Sequence, residues 1–87
     1  MAQNDLRRID AHYRATDPEL ALEIGNRIVA AATFLGGLPE AGPVTMRGTR
    51  RKWLVPKTRY LLFYRVAPDQ VRVLRVLHGA QDVASRQ

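Results

Sequence analysis

Residues 36–45 read "GGLPEAGPVT", and the spacing of apolar side chains changes across this stretch. Its glycines and prolines mark a loop. Ahead of it, apolar residues recur every three or four positions, as on one side of a helix. Beyond it, they come in short runs rich in β-branched and aromatic residues, as in strands. A chain patterned this way places helices first and a sheet second, with one layer packed on the other.

In the first half, Leu6, Ile9 and Tyr13 form one apolar stripe, which predicts a helix from about Asn4 to Ala15. Asn4 or Gln3 begins it, and Asp5 near its start suits the positive end of the helix dipole. "TDPEL" opens a second helix, with Asp17 as cap, Pro18 at the first helical position and Glu19 in the first turn. Its inward face carries Ala21, Ile24, Ile28, Ala31 or Ala32, and Leu35. Gly36 and Gly37 are expected to end it in a left-handed turn. The short break between the two helices implies an antiparallel helical hairpin.

In the second half, "RKWLV" (51–55) is a strand stopped by Pro56, and "RYLLFYRV" (59–66) is a second. "APDQ" (67–70) puts proline at the second position of a turn leading to "VRVLRVLH" (71–78), so the last two strands form a hairpin. The fold class expected is α+β: one domain over residues 1–87, with a helical hairpin (1–36), a three-stranded antiparallel sheet (50–79) and a tail (80–87). Leu6, Ile9, Tyr13, Ile24, Ile28, Phe63, Val73 and Val76 are the expected core. Such a sheet has edges that must be covered or paired.

Charge is distributed unevenly. Residues 1–43 hold four Arg or Lys against six Asp or Glu, a net −2, whereas residues 44–87 hold ten against two, a net +8. A one-sided basic surface attracts nucleic acid or an acidic protein. The chain has no cysteine, which excludes disulfides and thiolate chemistry. No signal-peptide core and no apolar run of membrane length is present, so a cytoplasmic protein without membrane association is expected.

Catalytic groups are sparse. His12 and His78 are the only histidines and Ser85 is the only serine. No metal-ligand spacing, Ser–His–Asp set or phosphate-binding glycine loop is recognisable, so no metal or cofactor is expected. His78 is a general acid or base, or else a histidine held by structural hydrogen bonds. The run from Met46 to Arg59 carries Arg47, Arg50, Arg51, Lys52, Lys57 and Arg59 around Trp53, with no acid. That pattern grips phosphates and stacks a base, or it is a solvated strand with a tryptophan plugging the core. Strict alternation would put Arg72 and Arg75 on opposite faces. The four arginines at 59, 65, 72 and 75 would then not converge on one site.

The segments "DLRRI", "LPEAG", "RYLLFYRV" and "VLRVLHGAQD", in this order and spacing, resemble the RelE/ParE superfamily of type II toxin–antitoxin toxins, most closely the ParE branch. The resemblance covers nearly the whole chain and implies the same fold, a helical hairpin on a small sheet. It implies a toxin that poisons DNA gyrase by protein contact and is neutralised by an acidic ParD-like antitoxin, and it leaves open an indirect association with DNA through gyrase. The partner contacts expected are Trp53, Arg59, Arg65, His78, Gln81 and Asp82. The rival branch cuts mRNA on the ribosome without a metal. Its arginine three residues before the tyrosine matching Tyr64 is Leu61 here, its second C-terminal arginine matches Gln81, its terminal tyrosine region matches Ser85, and its preceding lysine matches His78. A nuclease built on this chain would have to work with His78, Arg59 and Arg65. An inactive homologue that only binds antitoxin is a further alternative. Members usually begin with a β-strand before the first helix, and this chain starts almost at that helix. The resemblance therefore implies a toxin that leans on its antitoxin for stability, with the partner's extended segment adding a strand or covering the sheet.

Overall fold

Two helices precede a three-stranded antiparallel sheet in the computed structural model, which describes residues 2–46 and 48–79. The elements are α1 (Ala2–Arg14), α2 (Pro18–Gly37), β1 (Arg51–Leu54), β2 (Tyr60–Val66) and β3 (Val71–His78), and the sheet order is β1-β2-β3. This is the α+β layer arrangement that the apolar spacing predicts. The expected tail, 80–87, lies outside the described residues, as does Arg47.

The start of α2 follows its sequence signals. The Asp17 side chain accepts from the Leu20 amide at 3.1 Å, and Pro18 follows it. The end of α2 differs from expectation. The helix runs through both glycines, and among the described glycines only Gly48 has positive φ. The break comes instead at Leu38, with φ −136° and ψ 70°. The following proline ring disfavours a helical conformation there. The Leu38 amide still donates to the Phe34 carbonyl at 3.1 Å. Helix α1 begins at Ala2, ahead of the expected Asn4.

Strand pairing sorts the sheet residues by face. Toward the helices lie Trp53, Leu62 and Val76 in one row, Arg51, Tyr64 and Val73 in another, and Tyr60 opposite His78. Of these, Tyr60, Leu62, Tyr64 and Val76 pack with Ile9, Ile24, Ile28, Ala31, Leu35 and Val55 into the core. Leu6, Tyr13 and Val73 are only partly buried against that core. Phe63 is buried as expected, but on the opposite face, where it pairs with Lys52 and Arg75.

A correction comes from β3. Phe63 pairs with Arg75 and Tyr64 with Val73, so Leu74 has no partner and forms a bulge. The extra residue reverses the alternation. Arg72, opposite Arg65, and Arg75, opposite Phe63, therefore share the face turned away from the helices.

Two polar devices fix the layers. Asp5, fully buried in the first turn of α1, accepts from Arg75 Nε at 2.8 Å, Arg75 Nη2 at 3.0 Å and the Val76 amide at 2.9 Å. It thereby fastens α1 to the outer edge of β3. Burial alone would raise its pKa. The hydrogen bonds from Arg75 and Val76, with the charges of Arg75 and Arg8, outweigh burial and hold the carboxyl below the usual 3.8. At the other end of the sheet, the Tyr64 hydroxyl donates to the Pro39 carbonyl at 2.7 Å and accepts from the Gly42 amide at 3.0 Å. Arg51 Nη1 adds a bond to the Gly42 carbonyl at 2.7 Å. The "LPEAG" segment is thus pinned to the middle strand. Tyr64→Phe should lower stability by about 1–2 kcal/mol, because two loop groups lose their partner. Urea denaturation would show this, and an unchanged midpoint would mean the loop is held by other bonds.

Candidate functional site

A cleft of about 250 Å³ opens where α1 meets the end of β3, lined by Asp5, Arg8, Ile9, His12, Tyr60, Val76 and His78. It brings together the two histidines that the sequence holds far apart. The rings of Tyr60 and His78 meet edge to face at 5.5 Å, and those of His12 and Tyr13 at 4.8 Å. Tyr60 donates to the Tyr13 hydroxyl at 3.3 Å. Burial first, and then this hydrogen bond, push the Tyr60 pKa above its ordinary 10.0. Tyr60 is therefore a neutral phenol at physiological pH, one that releases its proton less readily than a free tyrosine. Asp5 is committed to Arg75 and Val76. His12, His78 and Tyr60 share the cleft with the Arg8 guanidinium, which lies 3.4 Å from Asp5.

Breaking a phosphodiester requires fixed cations where negative charge gathers in the transition state. Neither other arginine of the nuclease set lines this cleft. Arg65 stands on the far face of the sheet, toward the opposite end of β2 from Tyr60. Arg59 precedes β2 with its side chain exposed, and its backbone carbonyl accepts from the Gly79 amide at 2.7 Å, beside His78. Leu61 lies on the far face beside Leu54 and Leu77. Gln81, Asp82 and Ser85 lie outside the described residues. Arg65 thus stands apart from His78, whereas Arg59 neighbours it along the backbone and His12 and His78 line one cleft. Nothing in the spacing along α1 announces His12, because its nearness to His78 follows from the Asp5 clasp. Among the described residues, no three His, Asp or Glu side chains gather to hold a metal.

Trp53 lies on the helix side, partly buried, with its ring stacked on Phe34 at 5.3 Å and 28° between planes. This answers the question raised by the basic run. The tryptophan plugs the junction of α2 and β1, away from the face that Lys52 shares with Phe63. The stack borders a largely apolar groove of about 280 Å³, lined by Arg27, Ala30, Ala31, Phe34, Trp53 and Pro56. Nearby on α2, Leu22 and Val29 are 61% and 60% exposed. A groove and a row of uncovered apolar side chains suit a protein partner better than a small polar substrate.

A protein-family model described as the ParE toxin of the type II toxin–antitoxin system parDE matches residues 1–83. Among solved structures, a chain from "Chromosomal ParDE TA system from P. aeruginosa" is similar, with a TM-score of 0.77 and 25% identity, covering 88% of this chain and 86% of that one. No curated protein matches. Among the described residues, no helix is long and apolar enough to cross a membrane.

Proposed function

Because the chain belongs to the ParE toxin family of type II toxin–antitoxin systems, we propose that it arrests growth by binding DNA gyrase and stalling it on cleaved DNA. A cognate ParD-like antitoxin, acidic in its toxin-binding segment, neutralises it by covering the helical hairpin and part of the basic sheet. The observation that supports this reading is the placement of Arg65 on the far face of the sheet at the opposite end of β2 from His78, while Arg8, the arginine lining the His78 cleft, is paired with Asp5. The groove beside Phe34 and Trp53, with exposed Leu22 and Val29, supports a protein–protein mode of action. Partner contact falls to Trp53, Arg59, Arg65 and the segment from His78 to Asp82. The toxin acts in the cytoplasm, where gyrase and its DNA are.

One observation favours cleavage of mRNA on the ribosome instead: His12 and His78 face one cleft beside the protonated phenol of Tyr60. Two imidazoles can move protons, but the arginine lining the cleft, Arg8, is already paired with Asp5, which weakens the electrostatic part of that reaction.

The test is purified toxin added to gyrase and relaxed plasmid with ATP. Supercoiling should fall and linear DNA accumulate, and both effects should vanish after preincubation with equimolar antitoxin. Undiminished supercoiling at saturating toxin would refute the proposal.

A further inference from the structure

We propose that the accessible arginine row at the hairpin-turn end of the sheet face turned away from the helices, beyond the buried Phe63 and Leu77 of that face, is a contact surface for the phosphate backbone of duplex DNA, used directly by the toxin. Strand pairing puts Arg65 directly opposite Arg72 on this face. Arg51 pairs with Tyr64, so Arg50, one residue earlier, continues the row beside Arg65. The Arg50 guanidinium lies over the Phe63 ring at 5.9 Å, on the same face. Three arginines therefore stand in line across three strands. The next row is Lys52, Phe63 and Arg75, and beyond it Leu54, Leu61 and Leu77.

Like charges placed directly opposite destabilise a strand pair. Nothing among the described residues offsets this. Arg50, Arg65 and Arg72 form no ion pair, and Arg75 is drawn off by Asp5. Asp69, in the hairpin turn beyond Arg65 and Arg72, is exposed and joins no ion pair either. An unneutralised row of this kind stores electrostatic free energy that an anionic partner releases.

The chemistry favours a phosphate backbone. Neighbouring strands lie about 4.8 Å apart, so the row spans about 10 Å. Duplex DNA offers one charge per about 1.7 Å of its axis, enough to engage the whole row. The guanidinium fork matches phosphate oxygens better than a point charge does. The grooves that seat side chains, beside Trp53 and between α1, α2 and β3, open on the helix side. The arginine face is an array of charge on rigid strands, which suits sequence-independent backbone contact. This goes beyond gyrase inhibition and does not rest on it, since the probe is DNA without gyrase.

Fluorescence anisotropy with a labelled 30-base-pair duplex, titrated across a range of salt concentrations, tests the proposal. Wild type should bind with steep salt dependence. The Arg50→Gln/Arg65→Gln/Arg72→Gln triple should lose about 2–3 from the slope of log K against log salt and bind about 10-fold or more weakly at low salt. A charge-matched control, Arg7→Gln/Arg14→Gln/Lys57→Gln, should stay near wild type. Thermal melting guards against misfolding: losing like-charge repulsion, the first triple should melt at or above wild type. Should it fail to fold, Arg65→Gln alone should still lower the slope by about 1. Equal losses in the two triples would overturn the proposal, because binding would then follow net charge alone. Wild type preferring polyglutamate to DNA would also overturn it and assign the face to an acidic protein segment.

Discussion

Asp5→Ala should lower the stability of the folded chain by about 3 kcal/mol, one of the two largest effects expected from a single substitution. The buried carboxylate is the partner of two Arg75 nitrogens and of the Val76 amide. Removing one side of a buried ion pair costs about 3–5 kcal/mol. Here the Arg75 side chain is 30% exposed and can partly rehydrate, which brings the figure toward the lower end. For a domain of this size, about 3 kcal/mol corresponds to a fall in Tm of roughly 15 °C. The effect also has a pH signature. The folded pKa of Asp5 lies below the unfolded value of about 3.8. Its contribution is thus fully present above that pH and is lost as pH falls through the folded pKa. The gap between wild type and Asp5→Asn should be constant near neutrality and should shrink below about pH 4. Asp5→Asn melting within about 2 °C of wild type at pH 7 would show that the clasp contributes little.

Gly42→Ala should cost about 2–4 kcal/mol, for a steric reason. A Cβ at this position would lie 2.4 Å from the Lys52 carbonyl oxygen and 2.8 Å from the Tyr64 hydroxyl. The carbonyl belongs to β1 and cannot swing aside as a flexible side chain would. The loop must lift, loosening the Tyr64 bonds to Pro39 and Gly42 and the Lys52 amide bond to the Pro43 carbonyl, now 3.1 Å. Hydrogen exchange at the Lys52 amide should accelerate together with the fall in urea midpoint. Tyr64→Phe in the same chain should add less than its separate cost, since both changes release one loop. Full additivity would mean that the two residues hold different structures.

Much of this architecture is legible in the sequence because its signals are local. Asp17 and Pro18 mark the start of α2, the stripe from Ala21 to Leu35 marks its inner face, and "APDQ" marks the β2–β3 turn, closed by the Ala67 amide on the Gln70 carbonyl at 2.8 Å. What the sequence hides is non-local. A carboxylate in a first helical turn already has a sufficient local explanation, so nothing points from Asp5 to Arg75, 70 positions away. The meeting of His12 and His78 depends on that same clasp. The bulge did leave a trace: in "VRVLRVLH" the doublets Val73–Leu74 and Val76–Leu77 break strict alternation. Taken as an inserted residue, the first doublet would have put Arg72 and Arg75 on one face and exposed the arginine row.

The family places the chain among toxins, and the geometry sets Arg65 and Arg72 on the sheet face away from the cleft of its two imidazoles. The account therefore turns on binding without phosphodiester chemistry. The most direct measurement is incubation of the purified toxin with mRNA on programmed ribosomes, at a concentration that drives gyrase-dependent plasmid cleavage to completion. The account predicts full-length mRNA beside linear plasmid. Transcripts cut at codons while gyrase continues to supercoil would contradict it.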